Sequence, residues 1–154
     1  MSIWYRAAQT ENIENVFSGS GGLYVAGRWN YKGRKAIYCS QSIALCTLEW
    51  LSHNGLSVSG YSYYRFSIEI PDELIIQLSL FDLPKEWNLT PAVHQTRNYA
   101  EKILFNENKF IAMAVPSIIV PEESNLIINP SHHFFSALLK TTRAMGQYIA
   151  PHRV

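Results

Sequence analysis

The residue types that could do chemistry gather in one stretch of the chain. Gly27-Arg28-Trp29-Asn30-Tyr31-Lys32-Gly33 sets an arginine on a glycine-flanked turn, and Ala36-Ile37-Tyr38-Cys39 brings a tyrosine to a strand end. The segment from Ser42 to Glu49 then places one carboxylate inside an otherwise uncharged helical pattern. These are the parts of a site for a charged ligand. A carboxylate in an apolar helix carries a desolvation cost unless a neighbour favours its ionised form, and a guanidinium or a cationic substrate would do that. Glu49 therefore requires a partner.

The elements that must position these groups follow from turn signals and periodicity. Ser18-Gly19-Ser20-Gly21-Gly22 is a turn, with short strands expected at Leu23–Val25 and Ala36–Tyr38 on either side of the Arg28 loop. Ser40 is the expected N-cap of a helix from Gln41 to His53, which ends at Gly55. At a hundred degrees per residue, Ala44, Leu45, Leu48 and Leu51 form its apolar stripe, leaving Ser42, Cys46, Glu49 and His53 on the remaining face. Ser62 to Ile70 alternates as a half-buried strand, with Tyr64, Phe66, Ile68 and Ile70 inward and Tyr63, Arg65, Ser67 and Glu69 outward. A further strand is expected at Leu74–Leu80 and a helix from Thr90-Pro91 to Phe105. Short strands follow at Ile111–Val115, Ile118–Val120 and Leu126–Ile128, with a last helix over Phe134–Arg143. Strands cluster rather than alternating with helices, so the expected class is α+β with a mixed, mostly antiparallel sheet and flanking helices.

Composition narrows the setting. A chain of 154 residues without repeat or linker reads as a single domain over 1–154, and a net charge of +1 gives no electrostatic argument for nucleic acid or an anionic membrane as main partner. No apolar run is long enough to span a bilayer. Met1-Ser2-Ile3-Trp4-Tyr5-Arg6 lacks a basic region followed by an apolar run, so the expectation is no signal peptide and a cytoplasmic location. Cys39 and Cys46 form no C-x-x-C pair and read as packing residues. His53, His94, His132, His133 and His152 show no ligand spacing, so no metal site is expected.

One combination of motifs resembles a known family. Gly-Arg-Trp-Asn-x-x-Gly, then Ala-Ile-Tyr, then Leu-Glu at the end of an apolar helix, is followed by Val115-Pro116-Ser117 and by Asn125-Leu126-Ile127-Ile128-Asn129-Pro130-x-His132. In this order and spacing, over most of the chain, they resemble the RES domain family, named for its arginine, glutamate and serine. The resemblance implies a fold similar to that of ADP-ribosyltransferase toxins. It implies an NAD-degrading toxin of a bacterial toxin–antitoxin pair, held inactive by a helix-turn-helix antitoxin of Xre type. It further implies a homodimer within that complex, with nucleic acid engaged only through the antitoxin. Carried over by motif, the catalytic residues are Arg28, Tyr38, Glu49 and Ser117, with Arg6 as a second phosphate ligand.

In that reading Glu49 stabilises an oxocarbenium-like transition state, Arg28 takes the pyrophosphate, Ser117 bonds a ribose or phosphate oxygen, and Tyr38 stacks on nicotinamide or donates its hydroxyl. With no P-loop and no G-x-G-x-x-G, NAD is a substrate and no bound cofactor is expected, inorganic phosphate being a possible co-substrate. On residue chemistry alone each group also has a structural reading. Arg28 fits a basic, aromatic surface loop, Glu49 a helix-border ion pair, Ser117 a turn hydroxyl and Tyr38 a core-rim tyrosine. Two other functions share these features: an ADP-ribosyltransferase using the same four residues, and a nucleic-acid-binding module built on the aromatic and basic run from Arg28 to Lys35.

Overall fold

A computed structural model describes residues 1–151, so His152 lies outside the described residues. Its elements run β1 (Ser2–Ala8), α1 (Ile13–Val16), α2 (Gly21–Tyr24), β2 (Ile37–Ser40), α3 (Ile43–Asn54), β3 (Ser62–Ile70), β4 (Ile75–Gln77), α4 (His94–Ala100), β5 (Ala112–Pro116), β6 (Ser124–Ile128), α5 (Phe135–Leu138) and β7 (Arg143–Ile149). One seven-stranded sheet has the order β4-β5-β6-β2-β1-β3-β7. Only β4 and β5 pair in parallel, so the α+β, mostly antiparallel expectation holds. Among the described residues no helix is long and apolar enough to cross a membrane.

Strand alternation divides the core. Ala112, Ala114, Leu126 and Ile128 join Phe66, Ile68 and Phe135 on one face. Met113, Val115 and Ile127 pack on the other face with Leu104, Phe105 and the Arg28 loop's Trp29. On that second face Trp50 of α3 stacks on Tyr63 with ring centroids 4.6 Å apart. Tyr63 is therefore buried, contrary to the expected outward position, because α3 covers a face that alternation alone assigns to solvent. The central strands β1 and β2 pair only at Tyr5 and Ser40. Beside that single pair the Arg6 guanidinium takes over, donating from Nη1 to the Tyr38 carbonyl at 2.8 Å and from Nε to the Val16 carbonyl at 3.0 Å.

Several boundaries differ from the sequence expectations. Leu23 and Tyr24 belong to a helical turn rather than a strand, and the N-cap of α3 is Ser42, whose hydroxyl accepts from the Leu45 N–H at 3.0 Å. Gly55 closes α3 as expected, in the left-handed region at φ 64°. Thr90-Pro91 is a cis peptide outside α4, which starts at His94 and continues through a π-helical stretch at Glu101–Asn106. Residues 118–119 form a bend rather than a strand, β4 keeps three residues of its expected seven, and the expected last helix is an α turn at Phe135–Leu138 that continues as a 3-10 turn at Leu139–Thr141 before β7.

The rotation of α3 matters most for function. Leu45, Cys46 and Trp50 are its buried residues, while Ile43 and Leu48 stand 37% and 43% exposed. Of the expected stripe, Ala44 and Leu48 are thus turned outward, while Leu45 is buried and Leu51 half-buried. The polar anchors decide this: the Ser42 hydroxyl donates to Glu123 at 2.6 Å, and Glu49 accepts hydrogen bonds from the sheet side. Buried polar groups must be satisfied, and that requirement outweighs a few exposed methyl groups.

Candidate active site

Between α3, the Arg28 loop and the junction of β1 with β2 lies a cavity of about 570 Å³. That volume falls within the range of small-molecule and cofactor sites. Arg6, Arg28, Tyr38 and Glu49 all line it, so the structure brings four of the five predicted site residues to one space. Ser117 is fully buried behind them.

Glu49 holds the centre. Its Oε1 accepts from the Ser117 hydroxyl at 2.8 Å and from Asn125 Nδ2 at 2.6 Å. Within the protein the partner that a helical carboxylate requires is therefore a pair of neutral donors and not a guanidinium, the first of the two expected alternatives. Ser117 also accepts from the N–H groups of Ile119 and Val120, at 3.0 and 3.1 Å, in the turn after β5. With those donors occupying its lone pairs, the serine proton is directed at Glu49. Ser117 acts on the carboxylate, so its expected contact with a ribose or phosphate oxygen is replaced by a supporting one.

Tyr38 is similarly redirected. Its hydroxyl donates to Asn30 Oδ1 at 2.6 Å and accepts from the Trp29 N–H at 3.1 Å. Burial raises its pKa far above the usual phenol value, which keeps it a neutral donor. The hydroxyl is thus committed to the Arg28 loop, and the ring is left as the cavity wall. Asn30 completes the loop: Oδ1 also accepts from the Gly27 N–H at 3.0 Å, and Nδ2 donates to the Val25 and Tyr31 carbonyls at 3.3 and 3.1 Å. A side chain at Gly27 would meet Tyr38 Oη at 2.5 Å and Asn30 Oδ1 at 2.6 Å, which explains the glycine there.

Arg28 leans across the cavity rim to a neighbouring loop. Nη1 donates to the Trp87 carbonyl at 2.9 Å and the Leu89 carbonyl at 2.6 Å, and Nη2 to Thr90 Oγ1 at 3.4 Å. Of its five N–H donors, Nε–H and the second Nη2–H remain for a ligand. Desolvation lowers the Arg28 pKa while the Glu49 charge raises it, and Arg97 lowers it further. Desolvation also dominates at Arg6, offset by Cys39, Cys46 and Tyr38, with no carboxylate among the groups that favour its charge. Both guanidiniums remain cations at neutral pH, so the cavity carries two positive groups and one carboxylate.

The loop is also held from α4, where Thr96 Oγ1 donates to the Arg28 carbonyl at 2.5 Å and Arg97 Nε donates to the Gly27 carbonyl at 2.8 Å. Thr96, Arg97 and Asn125 are functional partners that sequence reasoning did not find. Asn125 lies in the Asn125–His132 motif, whose Asn129 donates to Asn108 Oδ1 at 3.1 Å. The expected exposed run from Trp29 to Lys35 is also not continuous. Trp29 is buried, and Arg34 forms a bidentate pair with Glu101 at 2.7 and 2.8 Å. Among the described residues no group of three or more His, Cys, Asp or Glu side chains could hold a metal ion.

Comparison with known proteins finds relatives along nearly the whole chain. The RES domain family model matches residues 3–147. A protein named Toxin Res from Yersinia enterocolitica is 34% identical over 142 residues, covering 92% of this chain and 93% of that one. Toxin Res of Photorhabdus laumondii is 33% identical, covering 93% of this chain and 91% of its own. A Prs ADP-ribosylating toxin of a Sphingobium species is 33% identical over 85% of this chain and 83% of its own. Among solved structures, a chain of the M. tuberculosis MbcT–MbcA toxin–antitoxin complex superposes with a TM-score of 0.69 at 15% identity, over 97% of this chain and 84% of that one. At that identity the likeness is one of fold.

Proposed function

This chain belongs to the RES domain family, and on that premise we propose that it is the toxin of a toxin–antitoxin pair, acting by cleaving the ribose–nicotinamide bond of NAD. The observation that carries the chemistry is a carboxylate held by neutral donors in a cavity that also presents two guanidiniums. In NAD the nicotinamide ring is cationic while bound to ribose and neutral once it leaves. The electron pair of the C1′–N bond departs with the ring, and positive charge develops on the ribose as an oxocarbenium ion. Glu49 Oε2, facing that charge, stabilises it and accepts a ribose hydroxyl, the logic that glycosidase carboxylates use. Arg28 and Arg6 take the pyrophosphate charges, and the Tyr38 ring provides a stacking wall. The nucleophile that then attacks C1′ is water, inorganic phosphate or an acceptor side chain, and it gives up its proton as the bond forms. No metal or organic cofactor enters this scheme.

The Toxin Res names of the relatives support the toxin role, and the neighbouring fold, solved in a toxin–antitoxin complex, is consistent with a proteinaceous antitoxin of Xre type as partner. ADP-ribosyl transfer is the second reading, favoured by the relative named as an ADP-ribosylating toxin. The two differ only in the acceptor. Nicotinamide release from NAD alone, with phosphate, and with cell extract separates them, and a parallel series with chelator tests metal independence. NAD left intact under every condition would refute the enzymatic reading.

A further inference from the structure

We propose that Asn125 is the positioning residue for Glu49, aimed by Ser40, so that one carboxylate oxygen is held and the other is offered to the cavity. The inference rests on the reading of Glu49 as the group that acts on the ribose, and it starts from strand register. Ser40 of β2 and Asn125 of β6 are direct cross-strand partners in an antiparallel pair. Cross-strand neighbours lie close enough for short polar side chains to bond. The buried Ser40 hydroxyl donates to Asn125 Oδ1 at 2.7 Å.

The Glu49 carboxylate fixes which way the amide faces, and the Ser40 bond holds it there. A carboxylate only accepts, so the Asn125 NH₂ must point to Glu49 and the amide oxygen must point away, where Ser40 meets it. Nδ2 then donates to Oε1 at 2.6 Å, the same oxygen that receives Ser117 at 2.8 Å. Both bonds converge on Oε1, and among the described residues Oε2 has no hydrogen-bond partner. The carboxylate is thereby oriented by uncharged groups, and its charge is not neutralised by an ion pair. An ion pair to a guanidinium would orient it too, but would also cancel the charge that the ribose must meet.

Asn125→Asp tests this with almost no change of shape. It puts an oxygen where the amide nitrogen donated, so two carboxylates must share a proton. The other titratable groups around the cavity are Tyr5, Arg6, Arg28, Tyr38, Cys39, Cys46 and His53. They are common to both proteins, so the comparison isolates the new carboxylate. The expected result is an acid limb of the kcat profile for nicotinamide release displaced upward by about one pH unit or more. Asn125→Ala should lower kcat about 10–100-fold with KM within about threefold, and Ser40→Ala should lower kcat by less, in the same pattern.

Thermal unfolding supplies a readout independent of turnover. The shared proton gives the folded variant a carboxyl pKa above its unfolded value, so its stability relative to wild type should fall as pH rises through that pKa. Adding Glu49→Gln should abolish this extra pH dependence. If wild-type protein releases no nicotinamide, the NAD reading fails while the unfolding series still reports whether Asn125 and Glu49 are coupled. An active, folded Asn125→Asp protein whose acid limb and melting profile overlay those of wild type would overturn the proposal.

Discussion

Glu49→Gln separates the charge of the carboxylate from the bonds that hold it. The glutamine amide oxygen can take the place of Oε1 and accept from both Ser117 and Asn125, whose distances of 2.8 and 2.6 Å need not change. Its nitrogen then stands where Oε2 faced the cavity, donating where an acceptor and a negative charge are needed. Removing one preorganised electrostatic contact of this kind costs about 10²–10³ in kcat, or about 2.7–4 kcal/mol of transition-state stabilisation. KM should stay within about threefold, because the phosphate contacts are untouched. Melting temperature should move by no more than about 2 °C, since no buried donor loses its acceptor. Glu49→Ala differs in the last respect, leaving the Ser117 hydroxyl and the Asn125 amide without an acceptor. At about 1–3 kcal/mol for each of the two unsatisfied groups, and about 2–4 °C per kcal/mol for a chain of this size, the melting temperature should fall by about 4–24 °C. The assay is initial-rate nicotinamide release across NAD concentrations, paired with thermal unfolding. A Glu49→Gln protein that keeps its kcat, or loses only affinity, would refute the assigned role. A Glu49→Ala protein that melts with wild type would refute the bonding on which the reasoning rests.

Arg28→Ala should raise KM for NAD about 10–100-fold with a smaller change in kcat, and the reverse pattern in the same rate measurements would mean that the roles of Arg28 and Glu49 are exchanged. Gly27→Ala drives a Cβ to 2.5 Å from Tyr38 Oη and 2.6 Å from Asn30 Oδ1, so overpacking of about 1–3 kcal/mol should lower the melting temperature by about 2–12 °C and reduce turnover. An unchanged melting temperature would show that the Tyr38–Asn30 clasp does not fix the loop. Burial pushes the Cys39 thiol up to about 12 and the Cys46 thiol up to about 11. At pH 8 about one thiol in a thousand or fewer is then ionised, so a thiol-exchange reagent should label both only after denaturant is added. Rapid labelling of native protein would contradict that burial.

The outline of the fold was legible because it rests on local signals. The β3 alternation, the Gly55 stop and the clustering of strands each depend on neighbours in sequence. What escaped depends on tertiary contact. Ala44 and Leu48 of the α3 stripe point outward because hydrogen bonds to Ser117, Asn125 and Glu123 outrank its apolar periodicity. Tyr63 was placed in solvent because nothing local announces that α3 covers the second face of the sheet. β7 was hidden because Arg143–Ile149 is largely exposed and carries a glycine, so it pairs with β3 without the alternation that marks a half-buried strand. In the site, motif order brought Arg6, Arg28, Tyr38 and Glu49 to one cavity. It could not tell a ligand contact from a supporting one, which is why Ser117 and the Tyr38 hydroxyl changed roles.

The change of roles bears on the cationic substrate proposed for the site. A carboxylate in an apolar helix was expected to need a cation, and its partners are instead a serine and an asparagine. Neutral donors keep a carboxylate in place and compensate part of its desolvation, yet they leave its net charge intact. Arg28, the guanidinium whose charge interacts with Glu49 across the cavity, is turned toward the carbonyls of Trp87 and Leu89. The full negative charge of Glu49 therefore awaits the ligand. For a neutral sugar this would bring little ground-state attraction. For a ribose bearing a cationic ring, and more so for the oxocarbenium ion that follows, the attraction grows as positive charge gathers at C1′. Interactions that strengthen on the way to the transition state are the ones that accelerate a reaction. An arginine paired directly to Glu49 would have solved the problem of burial and removed that advantage.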